Sequence, residues 1–190
     1  MIIYLARHGE TTGDIENRYG GDYDDHLTEY GKQESAELAE NLFGKNIELL
    51  FASPLIRAQE TSEIVGIKLG LVPKTLAGFK ERNNYGILTG LIKEEAATKH
   101  PDQIELLKDF RAAVKGAESY ADFSNRITAG LSGLMALGSS TVAIITHGGP
   151  MRLILRDVLG LGEKSIADCG YLVIEFANNA YTLLETHGIN

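Results

Sequence analysis

The sequence predicts an α/β fold in which a mostly parallel central sheet carries helices on its faces. Two observations lead to this class. Short apolar runs followed by amphipathic helical patterns occur twice in the first 70 residues, and a third run at 141–145 again precedes a helix start. Successive strand–helix units require parallel strands, since the crossover helix returns the chain to the same edge of the sheet.

The first half supplies two of these units. Residues 2–6 (IIYLA) form a run typical of a strand buried on both faces, and a long polar loop follows through Asp25. Thr28 is predicted to cap a helix that closes at Gly44. Residues 47–53 predict the second strand, and Ser53–Pro54 predicts a cap followed by proline at the first helical position.

The second half begins with a more polar segment, residues 79–120, called the middle segment below. A helix break is expected at His100–Pro101, and we expect the segment to form a small cap over a site. Residues 119–138 predict an amphipathic helix, and residues 141–145 predict a strand. The runs at 171–178 and 180–187 predict an antiparallel hairpin that turns at Asn178–Asn179.

Composition limits the classes of protein. The 190 residues suit one domain, 1–190, and a net charge of −8 without a basic run argues against partners such as nucleic acid or a membrane surface. The first strand is too short for a signal peptide or a membrane span. One cysteine, Cys169, excludes an internal disulfide. We therefore expect a cytoplasmic protein, whose oligomeric state the sequence leaves undetermined.

Chemistry-bearing residues follow the predicted strands. Arg7 and His8 end the first strand, Arg57 follows the second, and His147 ends the strand at 141–145. The carboxyl ends of parallel strands meet at one edge of the sheet, where ligands bind in open α/β folds. Predicted helix starts at Pro54 and Pro150 add positive partial charge there. Two guanidinium groups and two imidazoles suit a tetrahedral oxyanion better than a metal, so the expected ligand is a phosphate.

A histidine beside a phosphate is also a candidate nucleophile, because a neutral imidazole nitrogen can accept the phosphoryl group. His8 is the predicted phosphohistidine, with a carbonyl on its other ring nitrogen to fix the tautomer. The leaving oxygen then needs a proton donor. Glu81, in the middle segment, is the candidate.

Three stretches carry a resemblance. The motifs "ARHGET" (6–11), "SPLIRAQETSEI" (53–64) and "THGGPMR" (146–152) resemble, in this order, those of the histidine phosphatase superfamily, the phosphoglycerate mutase-like family. The resemblance covers nearly the whole chain. It implies a three-layer α/β/α sandwich, His8 as nucleophile, a phosphate pocket of Arg7, Arg57 and His147, an acidic proton donor from the middle segment, and neither metal nor cofactor.

The same resemblance suggests substrate contacts. In this family the stretch after the nucleophile borders the substrate, which makes Asn17 and Gly20 candidates here. Arg18, Arg82 and Gly148 are further candidate substrate contacts. Glu81 lies five residues before Gly86, whereas the acid of the family usually lies four before a glycine. Arg152 and Arg156, one helical turn apart, are interpreted as surface or subunit contacts.

The resulting hypothesis is a metal-independent phosphomonoesterase of the histidine acid phosphatase type, acting on a small phosphorylated metabolite. Between Gly90 and Glu118 no paired arginines resemble those with which glycolytic mutases grip a substrate carboxylate, which favours a phosphatase over a mutase. Two alternatives stay open: a phosphoglycerate mutase, and a phosphate-binding module with weak catalysis.

Overall fold

The computed structural model describes residues 1–190 and contains one six-stranded mixed sheet flanked by helices. The strands are β1 Ile2–Arg7, β2 Leu49–Ala52, β3 Lys74–Thr75, β4 Thr141–Thr146, β5 Ile166–Ala177 and β6 Ala180–Ile189. Their order across the sheet is β3-β2-β4-β1-β5-β6. The four strands from β3 to β1 are parallel, and β5 runs antiparallel to both β1 and β6. The predicted fold class is confirmed.

Seven α-helices connect or flank these strands. They are α1 Thr12–Ile15, α2 Glu29–Leu42, α3 Ile56–Leu69, α4 Lys93–Lys99, α5 Pro101–Leu106, α6 Tyr120–Leu134 and α7 Gly148–Leu153, and a π-helical turn, Ile154–Val158, continues α7. As predicted, Thr28 caps α2: its hydroxyl accepts a hydrogen bond from the amide of Gly31 at 2.9 Å. No helix has both the length and the hydrophobicity that crossing a bilayer requires.

Two hydrophobic layers lie on opposite faces of the sheet, and β1 contributes side chains to both. Ile3 and Leu5 pack with the buried residues of α6, whereas Tyr4 and Ala6 pack with those of α2 and α3. Successive side chains of a strand point to opposite faces. An uninterrupted apolar run such as 2–6 is therefore what a strand between two helical layers needs.

The C-terminal hairpin turns where the sequence predicts. Asn178 and Asn179 have positive φ angles of 51° and 61°, the left-handed conformation that a two-residue turn between twisted strands requires. Asparagine tolerates this conformation better than most residues. The strand before the turn begins at Ile166, earlier than the predicted start at residue 171.

The middle segment forms short helices around a small core of its own. Leu88, Ala96 and Val114 are buried together there. The predicted break is confirmed: α4 ends at Lys99 and α5 begins at Pro101. Proline disfavours a helical conformation in the residue before it, which explains the break.

The predicted start of α3 is wrong by two residues. The helix begins at Ile56, so Pro54 lies in the turn before it. The Ser53 hydroxyl does not cap the helix, because it pairs with His147 at 2.6 Å and accepts the amide of Leu55 at 3.3 Å. A carboxylate from the preceding loop, Asp24, accepts the amide of Ile56 at 2.7 Å instead.

Candidate active site

A cavity of about 310 Å³ opens at the carboxyl ends of the parallel strands. Its walls come from the loop after β1, the start of α3, the middle segment and α7. It is lined by eight of the ten predicted site residues: Arg7, His8, Arg18, Gly20, Arg57, Glu81, Arg82 and Gly148. His147 lies directly behind this lining, and Asn17 lies outside it.

His8 lies just after β1 and is only 5% exposed. Its Nδ1 lies 2.8 Å from the carbonyl oxygen of Gly9, and its Nε2 lies 3.0 Å from Nε of Arg57. A carbonyl can only accept a hydrogen bond, so Nδ1 carries the proton and Nε2 offers its lone pair. Burial lowers the pKa of His8 well below its usual value, and the charges of Arg57 and Arg7 lower it further. The imidazole is therefore neutral and oriented, as a nucleophile must be.

The loop that carries His8 lies against α2 without a gap. A Cβ added to Gly9 would lie 2.4 Å from the carbonyl oxygen of Gly31. In the other direction, a Cβ added to Gly31 would lie 2.1 Å from the carbonyl oxygen of Glu10. Backbone meets backbone at this contact, so only glycine fits at either position. The contact fixes the loop that carries His8 on α2.

Arg57 lies in the first turn of α3 and is held on several sides. Its Nη1 donates to a carboxylate oxygen of Asp25 at 2.8 Å, and its Nη2 donates to the carbonyl of Gly21 at 2.7 Å. Both side chains of this ion pair are 5% exposed. A buried pair whose donors are satisfied has a fixed geometry. The polar loop after β1 thus folds back to hold the guanidinium beside His8.

Arg7 is fixed from the opposite side. Its Nη1 donates to the carbonyl of Ile166 at 2.7 Å, and its Nη2 lies 2.8 Å from Oδ1 of Asp168. This second contact is an ion pair without hydrogen-bond alignment. Burial raises the pKa of Asp168 to about 6 even though Arg7 opposes the shift. A half-buried carboxylate on β5 therefore orients one predicted phosphate ligand.

His147 is fully buried behind the cavity wall, with its ring centroid 5.0 Å from that of His8. Its Nε2 pairs with the hydroxyl of Ser53 at 2.6 Å, while its Nδ1 is buried without a hydrogen-bond partner. Burial, followed by the charge of Arg57, lowers the pKa of His147 well below its usual value. An unpartnered buried nitrogen costs free energy, which a ligand oxygen would recover.

Glu81 extends from the middle segment and lines the same cavity. Its Oε1 accepts the amide of Arg82 at 2.7 Å, and its Oε2 accepts the amide of Gly149 at 2.9 Å. The carboxylate is thus fixed at the start of α7. A Cβ on Gly149 would lie 2.0 Å from Oε1 of Glu81, so this position also needs glycine.

The predicted substrate contacts divide into three groups. Gly20, Gly148 and Arg18 line the cavity, and Arg18 also donates to the carbonyl of Gly90 at 2.6 Å. The Arg82 guanidinium is occupied by three backbone carbonyls of the middle segment, those of Phe110, Ala112 and Glu118. Asn17 is exposed and does not reach the cavity. The structure therefore gives Arg82 a structural task and places Asn17 away from the site.

The structure places two arginines differently from the sequence-based interpretation of surface or subunit contacts. Arg152 and Arg156 line the cavity rather than an outer surface. The spacing of four residues that places Gly148, Arg152 and Arg156 on one face of a helix was visible in the sequence. Because Gly148 is a predicted substrate contact, this spacing indicates that Arg152 and Arg156 face the same cavity. Aromatic side chains of the middle segment and α6 complete this side: Tyr85, Phe110, Tyr120 and Phe123.

Known proteins resemble this chain over its length. The uncharacterized phosphatase PhoE of Bacillus subtilis strain 168 is 28% identical over 186 residues, 95% of this chain and 91% of the relative. The 2,3-bisphosphoglycerate-dependent phosphoglycerate mutase of Methylobacterium radiotolerans is 28% identical over 176 residues, 88% of this chain and 83% of the relative.

A solved structure shares the fold. The mycobacterial glucosyl-3-phosphoglycerate phosphatase superposes with a TM-score of 0.85 over 98% of both chains, at 22% identity. The model of the histidine phosphatase superfamily (branch 1) matches residues 3–188, which includes every stretch that builds the cavity. The chain belongs to the histidine phosphatase superfamily, whose members include phosphatases and phosphoglycerate mutases.

Proposed function

We propose that this protein is a phosphatase that hydrolyses a phosphomonoester of a small metabolite through a phosphohistidine at His8. The observation that carries the proposal is the state of the His8 ring. The Gly9 carbonyl holds the proton on Nδ1, which leaves the Nε2 lone pair beside the guanidinium groups of Arg57 and Arg7. A neutral nucleophile between two cations suits attack on an anionic phosphoryl group.

In the first step, Nε2 of His8 attacks phosphorus and the ester P–O bond breaks. Glu81 acts as the general acid that supplies a proton to the leaving oxygen, so the alcohol departs neutral. Arg57 exchanges its bond to Nε2 for one to a phosphoryl oxygen, and the unpartnered Nδ1 of His147 provides a further polar contact. These contacts stabilise charge on the equatorial oxygens as the phosphoryl group moves.

In the second step, water attacks the phosphohistidine. The P–N bond breaks, Glu81 takes a proton from the water, and inorganic phosphate leaves. His8 returns to its neutral form, and Glu81 recovers the proton that it supplied in the first step. No external reductant or oxidant is required. The cycle consumes one water for each ester.

The test compares the wild type with His8→Ala on p-nitrophenyl phosphate and a panel of phosphorylated metabolites, with a chelator present. Loss of the nucleophile should reduce phosphate release by at least about 10³-fold. His100→Ala is the matched control, since its side chain makes no hydrogen bond at the junction of α4 and α5. That variant should keep the wild-type rate.

Trapping the covalent intermediate provides a second test of the proposed function. Wild-type protein exposed to a radiolabelled substrate and quenched in alkali should carry label on the peptide containing His8, because a phosphohistidine survives alkali and is lost in acid. Activity of His8→Ala close to that of the wild type would contradict the proposal. So would label on another residue.

A mutase is the second candidate, and the 28% identity to a phosphoglycerate mutase favours its inclusion. A mutase returns the phosphoryl group from His8 to another hydroxyl instead of to water. Conversion of 3-phosphoglycerate to its isomer without phosphate release would decide for it. Phosphate binding with neither reaction and no label would indicate a binding module.

A further inference from the structure

The two buried imidazoles of the site are held by different edges. His8 holds its Nδ1 against the carbonyl of Gly9 at 2.8 Å, which leaves Nε2 facing Arg57. His147 is held the other way round: its Nε2 lies 2.6 Å from the hydroxyl of Ser53, and its Nδ1 has no hydrogen-bond partner in the protein. What each ring offers a ligand therefore depends on the group that holds its other nitrogen.

His147 is a neutral ring in this environment. It is completely buried, and burial together with the charge of Arg57 lowers its pKa well below the usual value. A neutral imidazole carries its one proton either on Nδ1 or on Nε2. The first tautomer presents an N–H donor at the unpartnered nitrogen. The second presents a lone pair there, which would repel the oxygen of a bound phosphate.

The hydroxyl of Ser53 distinguishes these tautomers. Its oxygen accepts the amide of Leu55 at 3.3 Å, and the structure offers its O–H no acceptor other than Nε2 of His147. With the proton on Nδ1, only that N–H is left unpaired. With the proton on Nε2, the O–H of Ser53 and the lone pair of Nδ1 would both be unpaired, and Ser53 is completely buried as well. Unpaired buried groups cost free energy, so the Nδ1–H tautomer is favoured.

Adjacent parallel strands bring the hydroxyl and the ring together. Ser53 follows β2 and His147 follows β4, and the register places Ala52 opposite Ile145. The amide of Ser53 continues this pairing by donating to the carbonyl of Ile145 at 2.9 Å. The backbone of Ser53 is therefore tied to the strand that delivers His147.

We propose that Ser53 is a positioning residue that keeps the proton of His147 on Nδ1, so that this nitrogen donates a hydrogen bond to the transferred phosphoryl group. The inference rests on the proposed function, because it assigns a task within the same site. The two rings lie 5.0 Å apart, close enough for one phosphoryl group to contact both. Nε2 of His8 attacks with its lone pair, while Nδ1 of His147 stabilises charge on an oxygen. A carbonyl and a hydroxyl thus give the same tautomer opposite roles.

Long-range ¹H–¹⁵N spectra of protein labelled at histidine test the tautomer directly. In the wild type, His147 should show a protonated Nδ1 and an unprotonated Nε2. Ser53→Ala removes the donor to Nε2 and should produce a population with the proton on that nitrogen. Ser53→Thr keeps a hydroxyl and should restore the wild-type pattern. A wild-type ring protonated on Nε2 would overturn the proposal, and so would an unchanged tautomer in Ser53→Ala.

Calorimetric titration with inorganic phosphate measures the consequence for the ligand. Ser53→Ala should weaken phosphate binding by about tenfold, because the hydrogen bond to a charged oxygen is no longer secured. Ser62→Ala is the matched control. Ser62 is equally buried, in α3, and its hydroxyl donates to the carbonyl of Gln59 at 2.8 Å rather than to an imidazole.

The control variant should keep both the tautomer of His147 and the phosphate affinity of the wild type. Unchanged phosphate binding in Ser53→Ala would overturn the proposal. An equal loss in Ser62→Ala would also overturn it, since the loss would then follow from a missing buried hydroxyl and not from the tautomer.

Failure of the proposed function is distinguishable from failure of this assignment. If the wild type hydrolyses no phosphomonoester, the phosphatase proposal fails, whereas the spectra and the phosphate titration need no turnover and still decide the role of Ser53. If the wild type is active, kcat/KM for p-nitrophenyl phosphate should fall in Ser53→Ala and recover in Ser53→Thr. A loss of thermal stability in Ser53→Ala with tautomer and affinity unchanged would show a structural role only and overturn the proposal.

Discussion

The two walls of the cavity are built differently. On the sheet wall, Arg7, His8 and Arg57 line the cavity and His147 lies directly behind them. His8, Arg57 and His147 are buried, and all four side chains are oriented by carbonyls, carboxylates or a hydroxyl. The middle-segment wall, residues 79–120, has a core of three buried side chains and is tied together largely by Arg82. The sheet wall therefore orients each of its polar side chains by separate contacts, whereas the middle-segment wall depends on a small core and one guanidinium.

We expect the largest effect from Glu81→Gln, where the two walls meet. Glu81 belongs to the middle segment, and its carboxylate accepts a hydrogen bond from the amide of Gly149 in α7. Loss of the proton donor should lower kcat for glycerol 3-phosphate by about 10² to 10⁴-fold. p-Nitrophenyl phosphate should lose much less, because its leaving group departs as an anion. Steady-state kinetics on both compounds measure the difference.

Glu94→Gln, on the exposed face of α4, serves as the control and should match the wild type on both compounds. Equal losses on the two compounds in Glu81→Gln would show that Glu81 positions the site without donating the proton.

Arg82→Met should disturb the middle-segment wall and leave the sheet wall unchanged. The side chain is 5% exposed, and its replacement leaves carbonyls of the middle segment without their donors. We expect a loss of about 1 to 3 kcal/mol in the free energy of unfolding, together with faster amide exchange at residues 110–118. Binding of inorganic phosphate, which we propose for the sheet wall, should change little.

Thermal denaturation, hydrogen exchange and calorimetry test these three expectations. A loss of phosphate binding equal to the loss of stability would mean that the two walls are one cooperative unit.

The smallest expected effect is a difference between the pKa values of buried and exposed histidines. His8 and His147, whose pKa values are lowered mainly by burial, should stay neutral at pH 6, whereas His26, whose pKa is raised mainly by its hydrogen bond to Glu60, should be protonated there. The unfolded chain binds protons more readily than His8 and His147 do. Their contribution therefore destabilises the fold as pH falls below about 6.5.

For His26 the sign is opposite: its stabilising contribution is present below about pH 6.5 and is lost as pH rises through its raised pKa. Long-range ¹H–¹⁵N spectra of the imidazoles report all three states. A midpoint for His8 at or above that of His26 would contradict the assigned environment of the nucleophile.

The parts that the sequence predicted are those set by local pattern and topology. The run at 2–6 predicted a strand buried on both faces, and Asn178–Asn179 predicted a tight turn; the structure contains both. Parallel strands then brought His8, Arg57 and His147 together without further information.

The roles of several polar side chains could not be predicted, because they depend on which groups compete for their hydrogen bonds in the folded chain. A sequence pattern does not contain that information. Ser53 has the right chemistry for a helix cap, but His147 takes its hydroxyl. Arg82 has the right charge for a substrate contact, yet its donors go to carbonyls more than 25 residues away.

The contact between Gly9 and Gly31 has a consequence for where mutations are tolerated. Gly31 lines no part of the cavity, and a survey ranked by proximity to substrate would pass over it. Yet its backbone touches that of the nucleophile loop so closely that a single methyl group has no room. In a library of random variants selected for turnover, this helix position should be as intolerant as the first residues of the active site. At this position we expect tolerance to follow the backbone contact with the His8 loop rather than the distance from the cavity.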